Sequence, residues 1–247
     1  MRATSRSRFV LLDAARGLAI AQMVVYHFLF DLGHFGAIEI DMYDDPRWIA
    51  WRSAIVAQFL FLMGASLALR LAPGAGPGWR RWAQIAACAV LVSIATGFVF
   101  GPRWIWFGVL HFAAAAQLLL LPLRRPLARL APWLLALAGG ALLAAGLTVH
   151  FPLFADDRLG WIGFSPVKPQ TEDFVPLLPW LGVVLLGMAA MRAAGSRLPA
   201  PSARLAGRLS PLLAPLSAAG RWPLTIYMAH QPLLFGALYL LTLPRAA

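Results

Sequence analysis

The sequence predicts an all-α fold: a polytopic membrane helix bundle of about seven transmembrane helices, with the amino terminus cytoplasmic. Three observations lead there. Sixty per cent of the 247 residues are apolar and only 13% are charged, outside the usual range of a soluble domain. The apolar residues fall into runs of roughly 20, the length of one bilayer crossing. The basic residues between those runs alternate in density: 14 gather on one side and six on the other, which by the positive-inside rule makes the richer side cytoplasmic and leaves the carboxyl terminus outside. One integral-membrane domain over residues 1–247 is expected.

The first span covers residues 9–31. Its opening, "MRATSRSRFVLLDAARGLAIA", has the basic head and apolar body of a secretory signal. Asp13 and Arg16 interrupt that body, however, and the hydrophobic stretch runs on to about residue 31, too long for a cleaved segment. It reads as a retained helix. Six further runs follow, at residues 50–70, 82–101, 104–123, 132–149, 175–193 and 222–243. Proline and glycine mark the joints, as in "APGAGPG" (72–78) and "GSRLPAPSARLAGRLSP" (195–211), and no internal repeat is evident. Two outer connections are long: "DLGHFGAIEIDMYDDPRW" (31–48) and "HFPLFADDRLGWIGFSPVKPQTEDF" (150–174). Their acids, aromatics and turn residues suit the binding of polyols or amines at a membrane face, with Asp173 a candidate substrate ligand, or else form solvated connectors.

Several function classes lose support. The net charge of +11 comes from short arginine clusters between spans, so it reads as topology rather than nucleic-acid binding. The single cysteine, Cys88, forms neither an intrachain disulfide nor a cysteine metal site, and no metal is expected. There is no Walker loop, dinucleotide glycine fingerprint, zinc-binding His-Glu-x-x-His or Gly-x-Ser-x-Gly elbow.

The first helix carries a polar stripe. At 100° per residue Asp13, Arg16, Ile20, Met23, His27 and Asp31 fall close to one line. Asp13 is spaced to pair with Arg16, and His27 with Asp31. Arg16 and His27 lie about 16 Å apart along the axis and point nearly the same way. Ionisable groups inside a span cost a few kcal/mol each unless they face protein or water, so the stripe should line the bundle interior or an aqueous path. Alternatively it fastens helices together. In "WIWFGVLHFAAAAQ", His111 should reach a depth close to that of His27. In "GRWPLTIYMAHQPLLFG", Tyr227 and His230 share a face with Gln231 beside them, and Pro232 should kink or break the helix there, as at a cavity wall.

Acyl transfer fits this set. A histidine with a carboxylate one turn away can act as general base toward an amine or hydroxyl, or can itself take an acyl group for a moment. Arg80, Arg81, Arg124 and Arg125 at the cytoplasmic mouth suit the phosphates of a coenzyme A thioester, or serve topology alone.

The ordered blocks "LLDAARGLAIAQMVVYHFLFDL", "FLFLMGASLAL", "FGVLHF", "DFVPLLPWLGVVLLG" and "GRWPLTIYMAHQPLLFG" resemble the bacterial branch of the heparan-α-glucosaminide N-acetyltransferase catalytic-domain family, within the transmembrane acyltransferases. The first block also resembles sugar O-acyltransferases, in which an arginine, ten residues and a histidine mark the first helix, as Arg16 and His27 do here. The resemblance implies a multi-pass protein of the bacterial inner membrane. It would carry acetyl from cytosolic acetyl-CoA, a co-substrate, to a sugar or other small acceptor on the outer face, as a monomer or homo-oligomer. It also implies that His27 is the base or acyl carrier, that Asp31 orients it, and that Arg16 holds thioester or phosphate groups. In the lysosomal relatives the catalytic histidine lies somewhat later, which makes His34 its counterpart here; both histidines are therefore candidates. A proton-coupled transporter or exporter is the rival reading, since intramembrane ionisable residues also mark proton relays.

Overall fold

The computed structural model describes residues 10–71, 76, 78–194 and 213–242. The basic clusters at Arg2, Arg6 and Arg8, at Arg197, Arg204 and Arg208, and Arg245, together with most of the two Pro- and Gly-rich joints, lie outside the described residues. The helices are α1 (Val10–His34), α2 (Pro46–Leu69), α3 (Trp79–Phe100), α4 (Val109–Leu120), α5 (Arg124–Arg129), α6 (Pro132–Thr148), α7 (Asp157–Gly160), α8 (Leu177–Ala194), α9 (residues 213–219) and α10 (Pro223–Thr242). Among the described residues there is no strand, only one bridge between Phe107 and Phe174. The all-helical expectation holds.

Four helices are long and apolar enough to cross a bilayer: Pro46–Leu69, Trp79–Arg103 counted with its terminal 3-10 turn, Leu177–Ala194 and Pro223–Thr242. Two others expected as spans, α4 and α6, are apolar but have only 12 and 17 residues. Helix α1 has 25 residues, about 37 Å at 1.5 Å each. Its stripe of Asp13, Arg16, His27 and Asp31 lowers its apolarity. The solvent these surfaces need is evident from their packing: only 11% of the Trp79–Arg103 window and 6% of the Pro223–Thr242 window is buried by protein. Such faces, with Phe98 at 88% and Leu241 at 76% exposed, belong in hydrocarbon.

The chain divides into two compact units, residues 1–59 with 196–247, and residues 60–195. In the first, α1 packs on α10. Met23, Tyr26, Met42 and Ile55 form the core, flanked by Trp48, Trp51 and Phe59. In the amino-terminal half of α1, Gly17 lies against the backbone carbonyl of Leu216 and Gly220 against that of Asp13, a contact only a residue without Cβ permits. Asp45 caps α2. Its carboxylate accepts the Arg47 backbone N–H at 2.8 Å, and Pro46 follows at the first helical position. The backbone N–H and guanidinium of Arg47 hold the Asp45 carboxyl below the usual carboxylate range.

In the second unit α8 packs against two partners through small residues. Gly182 meets Gly139 of α6, each facing the other's carbonyl. Gly187 lies on the carbonyl of Phe61, and Gly64 on that of Val184. Bilayer lipid offers helices no hydrophobic gain on association, so close backbone approach of this kind supplies the attraction by dispersion. The 150–174 connection is an ordered structure held by side chains. Arg103 donates to Glu172 at 2.6 Å and to Gln170 at 3.1 Å, and Thr171 donates to the carbonyl of Trp104 at 2.6 Å.

Candidate functional site

The residues of the stripe separate into distinct environments. Asp13 and Arg16 are ion-paired one turn apart near the amino-terminal end of α1. Three turns on, His27 directs Nδ1 to the carbonyl of Met23 at 2.9 Å. A carbonyl only accepts, so Nδ1 carries the proton and the basic lone pair is left on Nε2. His27 bonds backward along its own helix, and no hydrogen bond joins it to Asp31. Asp31 is instead fully buried, and its Oδ1 accepts from Nε2 of Gln231 at 2.5 Å, a partner 200 residues away on α10.

Helix α10 brings the rest of the cluster. It continues through Pro232, whose missing N–H frees the carbonyl of Met228 one turn back. His230 is buried and directs Nδ1 to the carbonyl of Tyr227 at 2.7 Å. That fixes its proton on Nδ1 and its lone pair on Nε2, as in His27. The two imidazoles meet with ring centres 4.8 Å apart, and Tyr227 lies 5.7 Å from His230. Three buried atoms in this one place have no hydrogen-bond partner: Asp31 Oδ2, His230 Nε2 and Gln231 Oε1. With the Gln231 amide nitrogen bonded to Asp31, and Nδ1 of His230 bonded to backbone, all three are acceptors. Buried acceptors without donors cost 1–3 kcal/mol each. A set of them beside a histidine with a free lone pair is what a ligand rich in N–H or O–H groups would complete.

The other sequence candidates lie elsewhere. His34, at the end of α1, sits among aromatic rings: Phe30 at 6.3 Å, Phe35 at 5.3 Å and Phe235 at 5.3 Å. In the second unit, His111 belongs to a polar chain. The Gly108 N–H donates to its Nδ1 at 3.3 Å, which leaves the proton on Nε2 to be donated to Ser93 Oγ at 2.9 Å, and Ser93 donates in turn to the carbonyl of Ile105 at 2.7 Å. Asp173 accepts the Val109 N–H at 2.8 Å, capping the amino end of α4 with a negative charge where the helix dipole favours one. Asp173→Ala is expected to cost about 1 kcal/mol of stability, read as a lower unfolding midpoint. Asp173→Asn, which keeps the acceptor oxygen, should recover most of it.

Among the arginines, Arg80 and Arg81 stand in the first turn of α3, with Arg81 donating to Gln84 at 3.4 Å, and Arg125 is exposed at the start of α5. Arg124 borders a shallow depression together with Arg70, between apolar walls from Leu67, Leu120 and Met188; its enclosed space is about 20 Å³, room for little more than a water. Arg70 had only a topological reading in the sequence, because nothing local distinguishes a basic residue at a span end from one beside a depression.

A family model described as "Heparan-alpha-glucosaminide N-acetyltransferase, catalytic" matches residues 8–232, a stretch that includes every residue of the His27 cluster. No curated protein and no solved structure matches the chain.

Proposed function

The chain belongs to the heparan-alpha-glucosaminide N-acetyltransferase catalytic family, and from that premise we propose that it is a membrane-embedded enzyme moving acetyl from cytosolic acetyl-CoA to an extracytoplasmic sugar amine or hydroxyl. The observation that carries this reading is the cluster on α1 and α10. There a histidine with its Nε2 lone pair free stands beside three buried acceptors that lack donors. An acceptor substrate supplies donors to the free oxygens of Asp31 and Gln231, and its nucleophilic N–H or O–H is the group His27 can deprotonate.

In this mechanism Met23 fixes the tautomer of His27, so that Nε2 is always the basic edge. Asp31 and Gln231, locked to each other, hold the acceptor through the oxygens they leave free. The acceptor's nitrogen or oxygen bonds to the acetyl carbonyl carbon, the carbon–sulfur bond breaks, and the proton taken up by His27 Nε2 returns to the departing sulfur. For the phosphate-bearing end of the thioester the proposal takes the arginines expected from the sequence, Arg16, Arg80, Arg81, Arg124 and Arg125. The same proposal takes seven crossings, a cytoplasmic amino terminus and residence in a bacterial inner membrane.

The test is incubation of the purified protein in lipid with labelled acetyl-CoA and an extract of envelope sugars. Labelled product, or transient label on the protein, supports acetyl transfer; unconsumed thioester with every acceptor sinks it. His34→Ala distinguishes the two histidines. Packed among phenylalanines rather than beside the unpartnered acceptors, His34 is expected to cost less than about tenfold in kcat, against 10²–10⁴-fold for a general base.

A further inference from the structure

The cluster contains a second imidazole that a one-histidine mechanism leaves idle. His27 and His230 are built alike: in each, Nδ1 is tied to a carbonyl of its own helix, Met23 at 2.9 Å and Tyr227 at 2.7 Å, and Nε2 is the free basic edge. Their ring centres are 4.8 Å apart. The planes cross at 67°, edge to face, so the rings are in direct contact, close enough that a proton on one acts on the other. His230 Nε2 is buried and has no partner. It is a buried acceptor in want of a donor, and the neighbouring ring, once protonated, can be one.

We propose that His27 and His230 act as a pair that holds the single proton released during acetyl transfer, with His27 receiving it at Nε2 and His230 Nε2 accepting a hydrogen bond from the resulting imidazolium. The proposal rests on the acetyl-transfer reading and deepens it. The balance is closed: the acceptor loses the proton as its bond to the acetyl carbon forms, the pair carries it, and the departing thiolate takes it back, so no redox partner is involved. A second proton is excluded because two imidazolium charges at this separation repel strongly away from water. His230 is thus a positioning residue that acts through His27. The titratable and charged neighbours are Tyr26 and Asp31 on α1, Tyr227 on α10 and, from α2, Arg52, which acts on Tyr26. Asp31 is the one carboxylate among them, with Oδ1 bonded to Gln231 and Oδ2 unpartnered.

Two measurements test the pair. In the wild-type protein in lipid, with ¹⁵N-labelled histidine, the Nε2 signals of His27 and His230 are expected to move together at one midpoint on acidification, as the rings take up one proton between them. Independent midpoints, or two protons bound at mildly acidic pH, would overturn the proposal. In His230→Gln, kcat for acetyl transfer is expected to fall about tenfold with KM within about twofold, and the acid limb of the kcat–pH profile to move to lower pH, because protonated His27 has lost its acceptor. An unchanged kcat and acid limb, or a loss confined to KM, would contradict it. If His230→Gln does not fold, the wild-type titration still decides. Absence of acetyl transfer by the wild type sinks the reaction reading alone, because the titration needs no turnover.

Discussion

His27→Ala is expected to lower kcat for acetyl transfer by about 10²–10⁴-fold, while thermal stabilisation by coenzyme A is expected to persist. The reasoning is local. His27 bonds only to the carbonyl of its own helix one turn back, and that carbonyl keeps its position in the α1 ladder when the ring is removed. The basic lone pair that takes the proton from an acceptor held by Asp31 and Gln231 in the proposed mechanism disappears. In the proposed mechanism coenzyme A is held by arginines rather than by His27, so binding is expected to survive. A transporter would answer differently, losing flux without ever consuming thioester. His27→Gln is a useful companion: it retains a polar side chain of similar reach but no base at neutral pH, and is expected to be as inactive as the alanine variant.

The largest stability effect is expected at the glycine seams of α8. Gly187→Ala places a methyl group inside contact distance of the backbone carbonyl of Phe61, and Gly64→Ala does the same against Val184. The obstructing atoms are main chain and cannot rotate away, so the helices must separate and lose the dispersion contacts along the whole crossing. Each substitution is expected to cost about 3 kcal/mol or more, a fall of roughly 6–12 °C in the unfolding midpoint for a chain of this size. Gly140→Ala is the control. Its Cβ would meet nothing within 4 Å, though Gly139 next to it faces the carbonyl of Gly182. That variant should be neutral or slightly more stable, since alanine loses less backbone entropy in a helix.

The outline of the fold and half of the site were legible in the sequence, for physical reasons that also explain the remainder. Apolar runs of bilayer length reveal helices because lipid imposes that length. A polar stripe at helical spacing reveals Asp13, Arg16, His27 and Asp31 because a charge in a span must face something other than lipid. Which partner each stripe residue takes depends on contacts distant in sequence. Asp31 is spaced for His27, yet the folded chain gives it Gln231, and the pairing of His27 with His230 has no local trace. The block "GRWPLTIYMAHQPLLFG" held the signal in part: Tyr227, His230 and Gln231 on one helix beside a proline already pointed to a polar wall. Arg70 and Arg124 beside one depression, and the contrast between Gly139 and Gly140, could not be read at all, since the sequence does not say which face of an apolar helix meets protein.

The central claim is that acetyl passes across the membrane at the His27 cluster while the coenzyme stays behind. It is tested most directly in sealed vesicles carrying the protein in one orientation, with acetyl-labelled acetyl-CoA added on the cytoplasmic face and an amino- or hydroxyl-sugar acceptor enclosed on the other. The expected result is label on the enclosed acceptor and free coenzyme A outside, with both lost in His27→Ala. Label reaching the acceptor only when it shares a compartment with acetyl-CoA, or acceptor crossing the membrane with the thioester intact, would contradict the account.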